Sequence, residues 1–61
     1  MSKEEVIKLM LDSLNADNRE LCSKMGMSQE DTETQIEQSQ PSLIFMLGNI
    51  YEKLKSSNVL A

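Results

Sequence analysis

Apolar residues recur at helical spacing near the start of the chain and predict a first helix over residues 3–14. Its apolar stripe has a four-residue spacing and consists of Val6, Met10 and Leu14. The cluster Asn15-Ala16-Asp17-Asn18 combines turn and capping residues, so it predicts the end of this helix and the start of a second one over residues 18–25. Three side chains of the second helix are expected to be buried: Leu21, Cys22 and Met25. Gly26 suits the left-handed residue that ends such a helix.

A third helix is predicted over residues 29–38. Ser28 is a natural N-cap, and the acidic residues that follow it suit the positive end of a helix dipole. Ile36 is the one strongly apolar residue of this helix, so the helix is expected to bury little besides Ile36 and Thr32.

A proline separates the third helix from a fourth. Pro41 has no N–H group, so the Ser-Gln-Pro-Ser segment over residues 39–42 predicts a break, with Ser39 or Ser42 capping a new helix over residues 42–56. The fourth helix has a wide apolar face: Leu43, Ile44, Phe45, Met46, Leu47, Ile50, Tyr51 and Leu54. The predicted fold is all-α, a compact bundle of four short helices in a single domain over residues 1–56, with a frayed C-terminal tail over residues 57–61.

Composition narrows the range of functions. The 61 residues include one cysteine and no histidine, so neither an intramolecular disulfide nor a zinc site with nitrogen and sulfur ligands can be assembled. No glycine-rich phosphate loop is present either, and we therefore expect no enzyme, metal or cofactor. The longest apolar run, Leu43 to Leu47, is five residues long, whereas a membrane span needs about 20. The first residues lack the basic and apolar regions of a secretory signal, and together with the free cysteine this predicts a cytoplasmic protein.

Charge is distributed unevenly along the chain. The net charge is -4, and no lysine or arginine occurs between Lys24 and Lys53. That stretch contains five acidic residues: Glu30, Asp31, Glu33, Glu37 and Glu52. Because phosphate backbones repel carboxylates, this stretch disfavours nucleic acid as a partner.

One segment resembles the lambda-repressor/Cro (XRE) family of helix-turn-helix domains. The resemblance rests on Ile7-Lys8, Met10, Asn15, Asp17, Glu20-Leu21-Cys22, Lys24-Met25-Gly26-Met27-Ser28-Gln29 and, further on, Pro41-Ser42-Leu43. It implies a repressor-like bundle in which the helix over residues 29–38 would read DNA. That helix is acidic here, with Thr32 where the family has an apolar residue, so a DNA-binding regulator is the alternative interpretation.

Two shorter resemblances compete with this one. Met25-Gly26-Met27-Ser28 with Ile36, Leu43, Met46-Leu47 and Ile50-Tyr51 is similar in spacing to ubiquitin-associated (UBA) domains, which implies a ubiquitin-binding module as a second alternative. Asn49-Ile50-Tyr51-Glu52-Lys53-Leu54 is similar to the end of a LuxR-type DNA-binding helix. All three families are helical.

The interpretation favoured by these patterns is a small, non-enzymatic regulatory protein that binds another protein or a second copy of itself. An over-wide apolar face indicates an interface, and acidic side chains on the preceding helix would add electrostatic selectivity. The residues expected to bind the partner are Ile44, Phe45, Met46, Tyr51, Glu30, Glu33 and Glu37.

Overall fold

The structure, a computed structural model, describes residues 1–57 and consists of two long helices. Helix α1 spans Lys3–Lys24 and helix α2 spans Gln29–Ser56, and the two pack against each other as a helical hairpin. The all-α prediction is therefore confirmed, and no strand occurs within these 57 residues. The prediction of four short helices is wrong: the first two predicted helices are one helix, and so are the last two. Part of the predicted frayed tail, residues 58–61, lies outside the described residues.

Helix α1 begins with a capping box that joins Ser2 to Glu5. The Ser2 hydroxyl accepts a hydrogen bond from the Glu5 backbone N–H at 3.2 Å, and the Glu5 carboxylate accepts one from the Ser2 N–H at 3.2 Å. Two of the unpaired N–H groups at the start of the helix are thereby satisfied. This cap explains why the helix begins at Lys3.

The turn between the helices has the geometry of a Schellman motif. Gly26 has a φ of 82°, the Met27 N–H donates to the Cys22 carbonyl at 3.0 Å, and the Gly26 N–H donates to the Ser23 carbonyl at 3.1 Å. The next residue but one, Ser28, caps α2 by accepting from the Asp31 N–H at 3.1 Å. The predicted left-handed Gly26 and the predicted N-cap Ser28 are both confirmed.

The turn expected at Asn15-Ala16-Asp17-Asn18 is wrong, because α1 continues through all four residues. Asparagine disfavours helices when its side chain bonds the local backbone instead. Here Asn15 is half-buried and its amide is engaged by the Gln40 amide of α2, with hydrogen bonds of 3.1 Å and 3.0 Å. Because its side chain is held across the hairpin, Asn15 does not end the helix.

The break expected at Pro41 is also wrong, since α2 passes through it. Pro41 is exposed, and so is Glu37, whose carbonyl loses its usual N–H partner and can be hydrated instead. Ser39 does not cap a new helix; its hydroxyl donates back to the Ile36 carbonyl at 2.7 Å, and the Gln40 side chain donates to the same carbonyl at 2.8 Å. Both side-chain hydrogen bonds go to the Ile36 carbonyl, one residue before that of Glu37, so the Glu37 carbonyl is left to solvent.

The core between the helices is small. Three apolar side chains are buried, Cys22, Ile36 and Leu47, together with the polar Thr32, whose hydroxyl donates to the Ser28 carbonyl at 2.8 Å. The predicted burial of Cys22, Thr32 and Ile36 is confirmed. Burial of Leu21 and Met25 is wrong, as they are 55% and 68% exposed. A continuous α1 presents one face to α2, and Leu21 lies about 100° around the helix from Cys22.

Candidate protein-binding surface

An open apolar groove crosses both helices. It is lined by Leu9, Met10, Ser13 and Leu14 of α1 and by Leu47 and Ile50 of α2, and we call these six residues the apolar groove. None of them is charged, and the Ser13 hydroxyl donates to the Leu9 carbonyl at 3.0 Å. The surface of the groove is therefore apolar, and its one hydroxyl group already has a hydrogen-bond partner within α1.

The apolar groove is open to solvent. Leu9 is 58% exposed, Ile50 46% and Leu14 37%, so these side chains are only partly covered by the hairpin itself. Isolated exposed leucines are ordinary, but contiguous apolar side chains from two helices mark a surface that gains free energy when something covers it. The groove is thus the best candidate for a binding site.

The partner-binding residues predicted on α2 lie outside the apolar groove. Met46 is 49% exposed and lies four residues before the groove residue Ile50, so the two share a face of α2. Ile44 is 48% exposed and Phe45 70%, yet neither lines the groove. Tyr51 is half-buried, and the Lys3 ammonium lies 5.8 Å from the centre of its ring. None of Ile44, Phe45, Met46 and Tyr51 is among the six residues that line the groove, and the partner-binding set expected from the sequence stays a prediction.

Residues from α1 were missing from the sequence prediction. Leu9 lies outside the stripe of Val6, Met10 and Leu14. If α1 has only that one contact face, Leu9 is expected to be an isolated surface residue. The signal was the breadth of the apolar segment: Ile7, Leu9, Met10 and Leu11 together cover more of a helix than one contact face needs. An apolar face wider than one helix contact needs, which predicts an interface on α2, is therefore present on α1 as well.

The acidic residues predicted to bind the partner differ in whether they form an ion pair within the hairpin. Glu30 and Glu37 are exposed, and neither forms an ion pair within residues 1–57. Glu33 is engaged across the hairpin by the Arg19 guanidinium, with hydrogen bonds of 2.8 Å and 3.1 Å to its two carboxylate oxygens. The hydrogen bond from Arg19 lowers the pKa of Glu33 below its ordinary value near 4.5, and it raises the pKa of Arg19. Glu33 therefore joins the two helices rather than standing free for a partner.

A second ion pair joins the other end of the hairpin. The Lys3 ammonium lies 2.8 Å from a carboxylate oxygen of Glu52. Hydrogen bonding between them raises the pKa of Lys3 and lowers the pKa of Glu52. Both cross-helix pairs are exposed, so water and salt weaken them.

Replacing Glu33 with glutamine is expected to lower the thermal midpoint slightly at neutral pH and to have no effect in acid. A carboxyl with a lowered folded-state pKa stabilises the fold above its unfolded pKa and loses that contribution as the pH falls through the folded pKa. The difference between wild type and Glu33→Gln should therefore begin to shrink as the pH falls below about 4.5, the ordinary glutamate value, and should close only below the lowered folded-state pKa of Glu33. Thermal unfolding at several pH values checks this, with Glu37→Gln as the control, because Glu37 is exposed, forms no ion pair within residues 1–57 and lies outside the first turn of α2. A pH-independent difference would contradict the ion pair.

The net charge of the protein is confined to one half of the hairpin. Residues 15–42, which form the half next to the turn, contain six acidic and two basic residues and so carry the whole net charge of -4. The remaining residues, 1–14 and those from 43 onwards, contain four acidic and four basic residues. We call these parts the acidic half and the neutral half. The apolar groove lies in the neutral half, close to the boundary.

A smaller polar depression lies beside the turn. It is lined by Arg19, Ser23, Met27, Gln29, Thr32 and Glu33, and the Arg19–Glu33 ion pair lies in its wall. In the part of the chain that the structure describes, no three metal-ligating side chains come together. The Glu33 carboxylate in this depression is bonded to Arg19, and the Thr32 hydroxyl donates to the Ser28 carbonyl at 2.8 Å, so both groups already have partners within the hairpin.

The structure does not show the arrangement that a helix-turn-helix would need. Residues 15–18 are helical, and the expected DNA-reading residues 29–38 form the first part of the 28-residue helix α2 instead of a separate short helix.

Neither α1 nor α2 has an apolar stretch long enough to cross a bilayer. Comparison with protein-family models, with curated proteins and with solved structures gives no match.

Proposed function

We propose that this chain is a small, non-enzymatic regulatory protein that acts by binding protein through the apolar groove. The observation that carries the proposal is the contrast between the exposed apolar surface and the core. Three apolar side chains are buried, whereas nine large hydrophobic side chains are exposed among the described residues, and three of the nine, Leu9, Leu14 and Ile50, come together in the groove. A surface of this kind gains free energy when a protein partner removes it from water.

Charge supports a protein rather than a polyanion as the partner. The apolar groove has no basic residue to meet a phosphate, and the acidic half beside it repels one. The exposed carboxylates Glu30 and Glu37 would favour partners without acidic patches near the turn. Burial of the groove supplies affinity, and the acidic half supplies selectivity.

Site-specific photo-crosslinking tests the proposal. A benzophenone amino acid at position 50, in the apolar groove, should give a discrete protein adduct when the cells that produce the chain are irradiated. The control carries the same group at position 38, because Gln38 is exposed on α2 and does not line the groove. An adduct confined to position 50 supports protein binding through the groove, and mass spectrometry identifies the captured chain. Absence of any adduct at position 50, or equal adducts at both positions, contradicts it.

A further inference from the structure

We propose that the apolar groove is covered by a second copy of this chain in inverted orientation, so that two hairpins form a four-helix bundle. This inference rests on the proposed function, because it names the partner that the groove binds. It makes the protein an isologous dimer in which the same residues contribute from both copies.

The exposed area of the single hairpin indicates that a face is uncovered. The hairpin measures 41 × 18 × 16 Å and exposes 4729 Å². A globular monomer of 6.9 kDa exposes about 4,000 Å². No side chain of the described residues is completely buried, although two long helices are packed together. A single hairpin thus leaves more surface in water than its mass requires.

One broad face is large enough for a stable dimer. Its length of 41 Å and width of 18 Å give a projected area of roughly 700 Å². A standard protein interface buries about 800 Å² per partner. Packing the hairpins face to face would also bring four helices around one core, which is the common way for helices of this length to complete their burial.

The position of the groove suits a two-fold axis. Asn15 contacts Gln40, so these two residues lie at the same level of the hairpin, near its middle. The groove residue Leu14 follows directly on the open-end side of that level, and Leu47 lies seven residues beyond Gln40 on the same side. A two-fold axis that lies in the plane of this face, at right angles to the long axis of the hairpin, and passes through the groove places it against the groove of the other copy.

The charge distribution selects the inverted orientation. Two hairpins packed in the same direction would place both acidic halves, each with a charge of -4, side by side. Inversion separates them and puts each acidic half next to the neutral half of the other copy, in which four acidic residues balance four lysines: Lys3, Lys8, Lys53 and Lys55. Because the groove itself is uncharged, the dimer buries no unpaired charge at its centre.

Sedimentation equilibrium of the purified full chain tests the second copy, with a matched pair of isoleucines. Wild type should have twice the chain mass of 6.9 kDa. Ile50→Asp, in the apolar groove, should reduce it to the chain mass, whereas Ile44→Asp should remain a dimer. The two residues have nearly equal exposure, 46% and 48%, on the same helix. Circular dichroism confirms that both variants are helical, and Ile50→Ser replaces Ile50→Asp if the charged variant does not fold.

A spin label tests the orientation. With Gln29→Cys labelled in a Cys22→Ala background, the inverted dimer should give a label-to-label distance on the order of the 41 Å length of the hairpin. A distance below about 20 Å, comparable to the 18 Å width, would mean parallel hairpins and would overturn the inverted arrangement.

The outcomes separate this inference from the proposed function. Monomeric wild type, or the same loss of mass in the position-44 and position-50 aspartate variants, overturns the second copy. If the photo-crosslink at position 50 then captures a different protein, binding through the groove stands and only the identity of the partner changes. If it captures nothing, the proposed function fails as well.

Discussion

Replacing Ile36 with alanine is expected to lower the free energy of unfolding by about 2–4 kcal/mol, because the truncation leaves a cavity in a core that cannot fill it. Ile36 is 5% exposed and is one of three buried apolar side chains in the described residues. At ~0.05–0.15 kcal/mol per residue, a chain of this size has a net stability of only a few kcal/mol. The substitution should therefore unfold a large fraction of the protein at room temperature. Urea denaturation followed by circular dichroism measures the change.

Ile44→Ala is the matched control for that experiment. It removes the same atoms from the same helix, but Ile44 is 48% exposed, so the loss should be below about 1 kcal/mol. Both variants and the wild type need the same protein concentration, since self-association would add to the apparent stability. Equal losses at the two positions would mean that α2 presents a different face to α1.

Replacing Pro41 with alanine is expected to stabilise the protein by up to about 3 kcal/mol, the difference between proline and alanine in a helix interior. Pro41 is exposed and lies inside α2, so alanine restores an N–H donor for the Glu37 carbonyl without disturbing the core. The helical content of the folded protein should stay the same, because α2 is already continuous. Thermal unfolding gives the stability, and the circular dichroism baseline before unfolding gives the helical content.

The two readouts distinguish a continuous helix from a broken one. A clear gain in helical content for Pro41→Ala would mean that the wild-type chain is interrupted near residues 39–42, as its sequence alone predicts. The control is Ser42→Ala, which is also exposed but leaves the backbone hydrogen bonds unchanged. It should change the stability by only a few tenths of a kcal/mol.

The local elements of this fold were predictable wherever one residue determines the backbone. Gly26 and Ser28 define the turn through a left-handed conformation and a side-chain cap, and both act within a few residues of themselves. The burial of Ile36 was also predictable, because it is the one strongly apolar residue of residues 29–38, whereas the contact face of α1 near the turn was assigned correctly only at Cys22, since Leu21 and Met25 are exposed.

The helix breaks were not predictable in the same way, because tertiary contacts decide them. Asn15 and Pro41 both disfavour a helix by themselves. The pairing of Asn15 with Gln40 joins residues that are 25 positions apart, and no local rule reveals such a pairing. The same contacts keep α1 continuous, and the continuous helix places Leu9 and Leu14 beside Ile50. The apolar groove therefore could not be derived from the sequence, although its α2 side could be suspected.

The order in which the hairpin can assemble follows from its four-residue turn. Contacts next to the turn join nearby residues, Arg19 and Glu33 are 14 positions apart, and Asn15 and Gln40 are 25 apart. The entropic cost of closing a loop grows with the number of residues between the two contacting positions. The contacts between α1 and α2 are therefore expected to form first next to the turn and to break first at the end far from it. The apolar groove lies on the portion that closes last. A partner bound in the groove would therefore hold together the parts of α1 and α2 that lie far from the turn. Partner binding would in this way be coupled to completion of the fold.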